Sequence, residues 1–461
     1  MTSPTPATIA ARLDRLPPSR RVRMLVALIS LGGWFEFYDL FFTSYVAIGL
    51  YKAGIFKPTT TGLFDFQGFA SFVAALFGGL FVGTICFSWV SDRFGRRSIF
   101  TFSLLWYSVG SVVMAFQSSA PAIDLWRFIA SIGLGVELVN VDTYISELVP
   151  KEQRGSAFAL NQAVMFTSVP IVAFLSWMLV PTEIFGLQGW RWVVIIGSAG
   201  AVLIWWIRLG LPESPRWLAQ RGRDEEADRI TREIERQVEL ESGAPLPPPQ
   251  PVAGEEAIKQ GAWSEIWSPA YRSRTIMLVL FNLCQTIGYY GFSSWVTTFL
   301  VAQGIGVTKS LAYTFAIAIA APVSPLVALR FADRFERKWQ IAWAAICIAG
   351  FGLAFSQQTT ALGVIVFGAL VTLSNNWMSF SFHAYQTELY PTRIRAQAVG
   401  FVYSWSRLSA VMSGFLIAFF LGRYGTTGVF CFIAGAMLMV FVVIGGLGPA
   451  TTRRRLEAIA G

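Results

Sequence analysis

Asp92-Arg93-Phe94-Gly95-Arg96-Arg97 returns, 241 positions later, as Asp333-Arg334-Phe335-Glu336-Arg337-Lys338. Each copy lies between two long apolar runs. A second pair of motifs keeps the same spacing: Glu147-Leu148-Val149-Pro150 with Arg154 beyond it, and Glu388-Leu389-Tyr390-Pro391 with Arg395. Two separate motifs held at one offset identify an internal repeat. Parallel repeats related by an axis normal to a membrane are a transporter architecture, with the solute site near mid-membrane between the halves.

The sequence around these motifs supplies the membrane. Apolar residues make up 54% of the chain and charged residues 14%, with a mean hydropathy of +0.54. That is far too little charge to cover a water-soluble protein of this size. A bilayer crossing takes about 20 apolar residues in a helix. Six such runs fall near 22–50, 66–91, 98–118, 121–147, 156–180 and 190–211. Six more fall near 275–302, 308–331, 339–357, 360–387, 397–421 and 426–448. The expected fold is therefore all-α and membrane-embedded, with twelve transmembrane helices in two pseudo-symmetric six-helix bundles. The expected units are an N-terminal bundle (1–218), a linker (219–271) and a C-terminal bundle (272–461). Within the linker, Asp224 to Glu241 reads as a charged amphipathic helix and Pro245 to Pro251 as a stiff spacer.

Charge sets the orientation. With the N-terminus inside, 27 Lys and Arg residues fall on the cytoplasmic side and five outside, which predicts a plasma (inner) membrane protein with both termini cytoplasmic. The net charge of +9 is thus a topology signal, and no nucleic-acid partner is expected. Cys86, Cys284, Cys347 and Cys431 stand far apart inside apolar runs, and there is a single histidine, so neither disulfides, a metal nor a cofactor is expected. The first twenty residues lack the apolar core of a cleavable signal, leaving the first span as its own insertion signal.

Over nearly its whole length the chain resembles the major facilitator superfamily, in its sugar-porter and organic-ion-porter branch. The carriers of the resemblance are the two repeated motifs and Pro212-Glu213-Ser214-Pro215-Arg216-Trp217-Leu218 at the end of span six. Ser88 and Glu336 stand where the family motif has glycine. The resemblance implies gating ion pairs across the cytoplasmic face, from Asp92, Arg93, Arg96, Arg97, Glu147 and Arg154 in the first half. Asp333, Arg334, Arg337, Glu388 and Arg395 are their counterparts. It also implies that Asp39, in Phe37-Tyr38-Asp39, carries a proton, with Arg127 as its neighbour; a static ion pair is the competing reading.

Ionisable groups inside spans cost at least ~2.5 kcal/mol each to insert, so each is a functional candidate. Glu36 and Asp39 share a helix face at i, i+3. Glu36 and Glu137 both lie roughly 20 Å from the cytoplasmic end of their spans at the helical rise, which would bring two carboxylates to one depth as proton carriers. Glu36, Asp39, Arg127 and Glu137 are therefore the proton-coupling candidates. Arg407, near mid-depth in span eleven, offers a planar fork suited to a carboxylate; niacin-type and organic-ion permeases resemble it there. A partner for one of the acids is its alternative role. Its expected companions in substrate binding are Tyr289, Tyr290, Gln162, Gln285, Trp377, His383 and Asp142, the last two being repeat counterparts. Gly288 and Gly291 are expected to let span seven bend.

Sugar-porter cavity signatures are incomplete: Val169 replaces a binding glutamine, and Gln285-Thr286-Ile287-Gly288 replaces a glutamine pair. The leading expectation is proton-coupled uptake of a small organic carboxylate, an aromatic acid being one option, by a monomeric carrier. Symport of a sugar or polyol and proton-driven export of organic cations or drugs are the alternatives. No nucleophile-elbow, zinc-helix or phosphate-loop motif occurs, so an enzyme is not expected. A sensor without transport remains the other class.

Overall fold

The computed structural model describes residues 5–56, 68–150, 153–209, 211–249, 263–331 and 335–451, with the side chains of 86–92, 138–139, 155, 201–209, 328–331, 392–393 and 395–396 not described. A short helix α1 (Pro6–Asp14) precedes the first long one, α2 (Arg20–Lys52). Four membrane elements follow: α3 (Phe69–Phe94), α4 (Arg96–Ala115), α5 (Ala120–Leu148) and a broken helix, α6 (Arg154–Phe166) with α7 (Ser168–Leu179). A two-residue hairpin, β1 (Glu183–Ile184) and β2 (Leu187–Gln188), turns through Phe185 and Gly186, both at positive φ, into α8 (Gly189–Leu209). Two surface helices, α9 (Pro215–Gln220) and α10 (Asp224–Ser242), close the first half.

The second half opens with a 3₁₀ turn at Trp263–Trp267. It continues as α11 (Arg272–Ser293) with α12 (Val296–Ala302), then α13 (Val307–Ala318) with α14 (Val323–Phe331). α15 (Arg337–Ser356), α16 (Ala361–Glu388) and α17 (Thr392–Val442) complete it. Gly425, at φ 65° and ψ −168°, breaks α17 into two arms that serve as spans eleven and twelve. The result is twelve transmembrane helices in two six-helix bundles. Among the described residues, eight helical segments are long and apolar enough to cross a bilayer. Phe102, Val109, Leu125, Leu362 and Val442 project from the outer surface as lipid-facing side chains do.

The repeat persists in three dimensions. α4 and α15 begin and end 241 residues apart, at Arg96 and Arg337 and at Ala115 and Ser356; α5 and α16 both begin at alanines with the same offset. The two turns before α4 and α15 differ, however. Gly95 has φ 97°, and a Cβ there would lie 2.5 Å from Glu213 Oε2. The absence of a side chain lets Glu213 accept from the Arg96 and Arg97 amides, at 3.0 and 3.2 Å, capping α4 with a carboxylate. Glu336 has φ −62°, a conformation open to any residue, and its Oε1 accepts from the Thr451 amide at 2.9 Å. The missing second glycine therefore reflects a different turn.

Span seven does not bend at its glycines. α11 runs unbroken through Gly288 and Gly291 and yields only at Ser294–Trp295. A Cβ at Gly288 would meet Met437 Cε at 2.8 Å, and one at Gly291 would meet Ile417 Cδ1 at 2.8 Å, so these glycines serve close packing against α17. The terminal segment also holds more structure than its polarity suggested. Thr5 caps α1, whose Ile9 and Leu13 bury against α9 and α10.

Candidate functional site

Between the two bundles lies a cavity of about 450 Å³, within the range of small-molecule sites. Glu36 and Phe37 reach it from α2, Asp142 and Thr143 from α5, and Asn161 and Gln162 from α6. The opposite wall comes from Gln285, Tyr289 and Tyr290 of α11, His383 and Gln386 of α16, and Tyr403 and Arg407 of α17. Ser379, Phe382, His383 and Gln386 follow the i, i+3, i+4, i+7 spacing of one helix face. Below, the face of the molecule carrying Arg96 and Arg337 is called the basic face. The lining extends to Thr387 and Val399, within about two turns of that face.

The other end of the cavity is closed by contacts between the bundles. The Ser44 and Thr297 hydroxyls are 3.1 Å apart, and Thr297 also donates to the Ser44 carbonyl. Phe69 meets Trp295 edge to face at 4.9 Å, and Trp177 stacks on Phe315 at 5.8 Å. No sequence motif marked these residues; hydroxyls and aromatics are too common in spans to stand out.

Arg407 dominates the electrostatics of the C-terminal wall. It is 7% exposed. Its Nη1 donates to the Tyr290 hydroxyl at 3.3 Å and Nη2 to the Tyr403 hydroxyl at 3.2 Å, while the guanidinium lies 5.1 Å over the Tyr403 ring. Among the described residues its Nε has no hydrogen-bond partner and no carboxylate forms an ion pair with it. His383 sits 5.6 Å from Tyr403 and Tyr289 sits 5.0 Å from Tyr290, ring centre to ring centre. A buried, incompletely satisfied guanidinium among aromatic rings has the chemistry to hold a flat anion. Tyr403 escaped the sequence reading as a site residue, although its i−4 relation to Arg407 was a signal for it.

Of the eight substrate-binding candidates, seven line this cavity and Trp377 does not. Trp377 lines a separate outer groove with Trp339 and Trp343. It lies two residues from Ser379, about 200° around the helix, so it points away from the cavity. The proton-coupling candidates separate as well. Glu36 lines the cavity. Glu137 is buried inside the N-terminal bundle, where the Ser103 hydroxyl lies 3.4 Å from Oε2. Equal depth did not bring the two carboxylates together, because Glu137 faces α4.

Asp39 and Arg127 form a closed unit away from the cavity lining. Arg127 Nη1 is 2.7 Å from Asp39 Oδ2, and Nη2 donates to the Asp39 carbonyl and Thr43 Oγ1 at 2.9 and 2.8 Å. Ser111 donates to Asp39 Oδ1 at 3.2 Å, and the guanidinium lies 4.5 Å from the Phe42 ring centre.

At the basic face the gating candidates pair within each half. Arg96 Nη2 is 2.9 Å from Glu147 Oε1, and Arg337 pairs with Glu388, the same two positions of the repeat. Arg216 Nε donates to the Glu147 carbonyl at 3.0 Å. Arg93 is exposed, Arg97 lines a surface groove beside Glu213, and Arg154 opens α6. Among the described residues no ion pair joins the halves. Asp333 and Arg334, and the side chains of Asp92 and Arg395, lie outside the described residues.

The sequence pattern of the sugar (and other) transporter family matches residues 25–461. A Bacillus subtilis (strain 168) protein, YyaJ, provisionally described as a metabolite transport protein, is 31% identical over 97% of this chain and 96% of its own. The niacin transporter NiaP of Acinetobacter baylyi is 26% identical over 98% of this chain and 99% of its own. The partially occluded inward-open xylose transporter XylE from E. coli superposes with a TM-score of 0.74 at 19% identity, covering 95% of this chain and all of that one. That likeness concerns the fold, and it is the fold derived above. Two matched bundles, a mid-membrane cavity and a match across nearly the whole chain lead to one assignment: the protein belongs to the sugar (and other) transporter family of the major facilitator superfamily, and it is a secondary transporter and not an enzyme.

Proposed function

We propose that this transporter takes up a small aromatic carboxylate together with protons across the plasma (inner) membrane, by alternating access. The observation that carries the reading is Arg407: a cavity guanidinium with a free Nε, no carboxylate partner among the described residues, and a surround of Tyr290, Tyr403 and His383. The substrate carboxylate takes the planar fork, and its ring lies among the tyrosines. Glu36 and Asp142, in the same cavity, supply titratable groups for proton coupling. A niacin transporter among the relatives supports a carboxylate as the substrate class, since niacin is a pyridine carboxylate.

With both termini cytoplasmic, as the charge distribution favours, the basic face is the cytoplasmic one and the cavity is inward-facing. Closure of that face and parting of Ser44 from Thr297 would then give the outward-facing state. The test is transport by the purified monomer in proteoliposomes with an acidic exterior. Labelled benzoate or pyridine-3-carboxylate should accumulate, and a protonophore should abolish accumulation. Accumulation of a pentose or an organic amine in its place overturns the proposal, and binding without any transport would identify a sensor.

A further inference from the structure

The two walls of the cavity carry opposite charge. Among the described residues, Arg407 stands on the C-terminal wall with His383 and no lining carboxylate, and Glu36 and Asp142 stand on the N-terminal wall with no lining cation. Both poles line the one cavity of about 450 Å³, so they lie within one solute's reach. Asp142 opens onto the cavity and makes no hydrogen bond or ion pair with a described residue. Asn161, on the same wall, is 1% exposed, and its Oδ1 is buried with no hydrogen-bond partner. An acceptor so placed requires a donor, and the described residues of the bundle contribute none.

A solute bearing only a carboxylate satisfies Arg407 and leaves Asp142 and the Asn161 Oδ1 unmatched. It also adds negative charge opposite two acids. We infer that the substrate is an ampholyte: an aromatic carboxylate whose far edge carries a nitrogen able to hold a proton, with the carboxylate on Arg407 and the nitrogen on Asp142 and Asn161. This rests on the reading of Arg407 as the anion site. It assigns Asp142 and Asn161 a cationic subsite and makes the solute a bridge between the bundles. Its binding energy then favours the state in which the two walls approach, which is the coupling a rocking transporter requires.

The experiment is equilibrium binding to the purified full chain in detergent, followed by tryptophan fluorescence, with four probes. Benzoate carries the anion alone, 4-(aminomethyl)benzoate carries both charges at neutral pH, pyridine-3-carboxylate carries both once acid pH protonates its ring nitrogen, and benzylamine carries the cation alone. 4-(Aminomethyl)benzoate at neutral pH, and pyridine-3-carboxylate at acid pH, should bind at least about tenfold more tightly than benzoate, the value of one charge-assisted hydrogen bond. Asp142→Asn should reduce that ratio about tenfold, and Asn161→Ala should reduce it less. Because the readout is a ratio within one preparation, a loss of folded protein does not mimic it. Equal binding of benzoate and the ampholytes, or a ratio that Asp142→Asn leaves unmoved, overturns the ampholyte and leaves the carboxylate reading standing. Binding of benzylamine alone overturns both.

Discussion

Arg96 pairs with Glu147 in the first bundle at the two positions where Arg337 pairs with Glu388 in the second. Each arginine begins the third helix of its bundle and each glutamate ends the fourth, so the pair ties two helix ends at the basic face. The Arg96 pair is reinforced: Glu213 caps the same helix, and Arg216 holds the Glu147 carbonyl. Neither pair joins the bundles. Each stiffens one rocking body, leaving the relative motion of the two to the contacts at the far end.

Those far-end contacts give the first prediction. Ser44 and Thr297 touch across the bundle interface, and opening of that face must part them. In a background with the native cysteines replaced, Ser44→Cys with Thr297→Cys should cross-link under mild oxidant. Cross-linked protein in proteoliposomes should lose transport, and reductant should restore it. Full activity of the cross-linked form would show that these helices do not separate during the cycle.

Arg407 gives the second. Arg407→Ala removes the fork from the anion site and should weaken carboxylate binding about 10- to 100-fold, from the ~1.5–3 kcal/mol of a charged hydrogen bond. Arg407→Lys keeps the charge but not the two-pronged geometry and should recover only part of the loss. Binding isotherms for benzoate measure both, with size-exclusion profiles to confirm folding. Wild-type affinity in Arg407→Ala would remove this residue from the site.

The third concerns Asp39 and Arg127. Both are buried, and Thr43 and Ser111 add hydrogen bonds to the pair. Removing one partner leaves an uncompensated charge, which costs about 3–5 kcal/mol. Asp39→Asn should therefore lower the melting temperature in detergent, and Asp39→Asn combined with Arg127→Met should restore much of it. If the restored double variant accumulates solute under a pH gradient, the pair is structural; if it only exchanges solute, Asp39 carries the proton.

The architecture was legible in the sequence because its signals are collective. Twelve apolar runs and a 241-residue offset do not depend on any single side chain, and the offset holds for α4 and α15 to the residue. The cavity wall was legible where charge is costly, hence Glu36 and Arg407, and where the repeat pairs positions, hence Asp142 and His383. Azimuth was not. A helical rise gives depth, and Glu36 and Glu137 were matched by depth alone, yet Glu137 turns toward Ser103. Trp377 failed for the same reason, as a face can be read only relative to a neighbour already placed. α1 is short and polar, and its burial comes from α9 and α10, far away in the chain.

α1 gives the fourth prediction. Arg12 reaches Glu235 and Asp228 on α10, each at 2.5 Å, and Arg15 reaches Glu235 at 2.7 Å. Burial on its own pushes the Glu235 carboxyl up, but hydrogen bonds from Arg12 and Arg15 outweigh it, and the group titrates below the ordinary glutamate range. Asp228 is lowered too, by Arg232 first and then by Arg12. A carboxyl lowered by folding stabilises the docked state above its ordinary pKa, and that contribution is lost as pH falls through the lowered value. Docking of α1 should thus be firm at neutral pH and weaken below about pH 4. Hydrogen exchange of the α1 amides, corrected for intrinsic rates, should show protection falling over that window. Arg12→Ala should lower it about 10- to 100-fold already at pH 7. Protection that ignores both changes would mean that Ile9 and Leu13 hold the helix by burial alone.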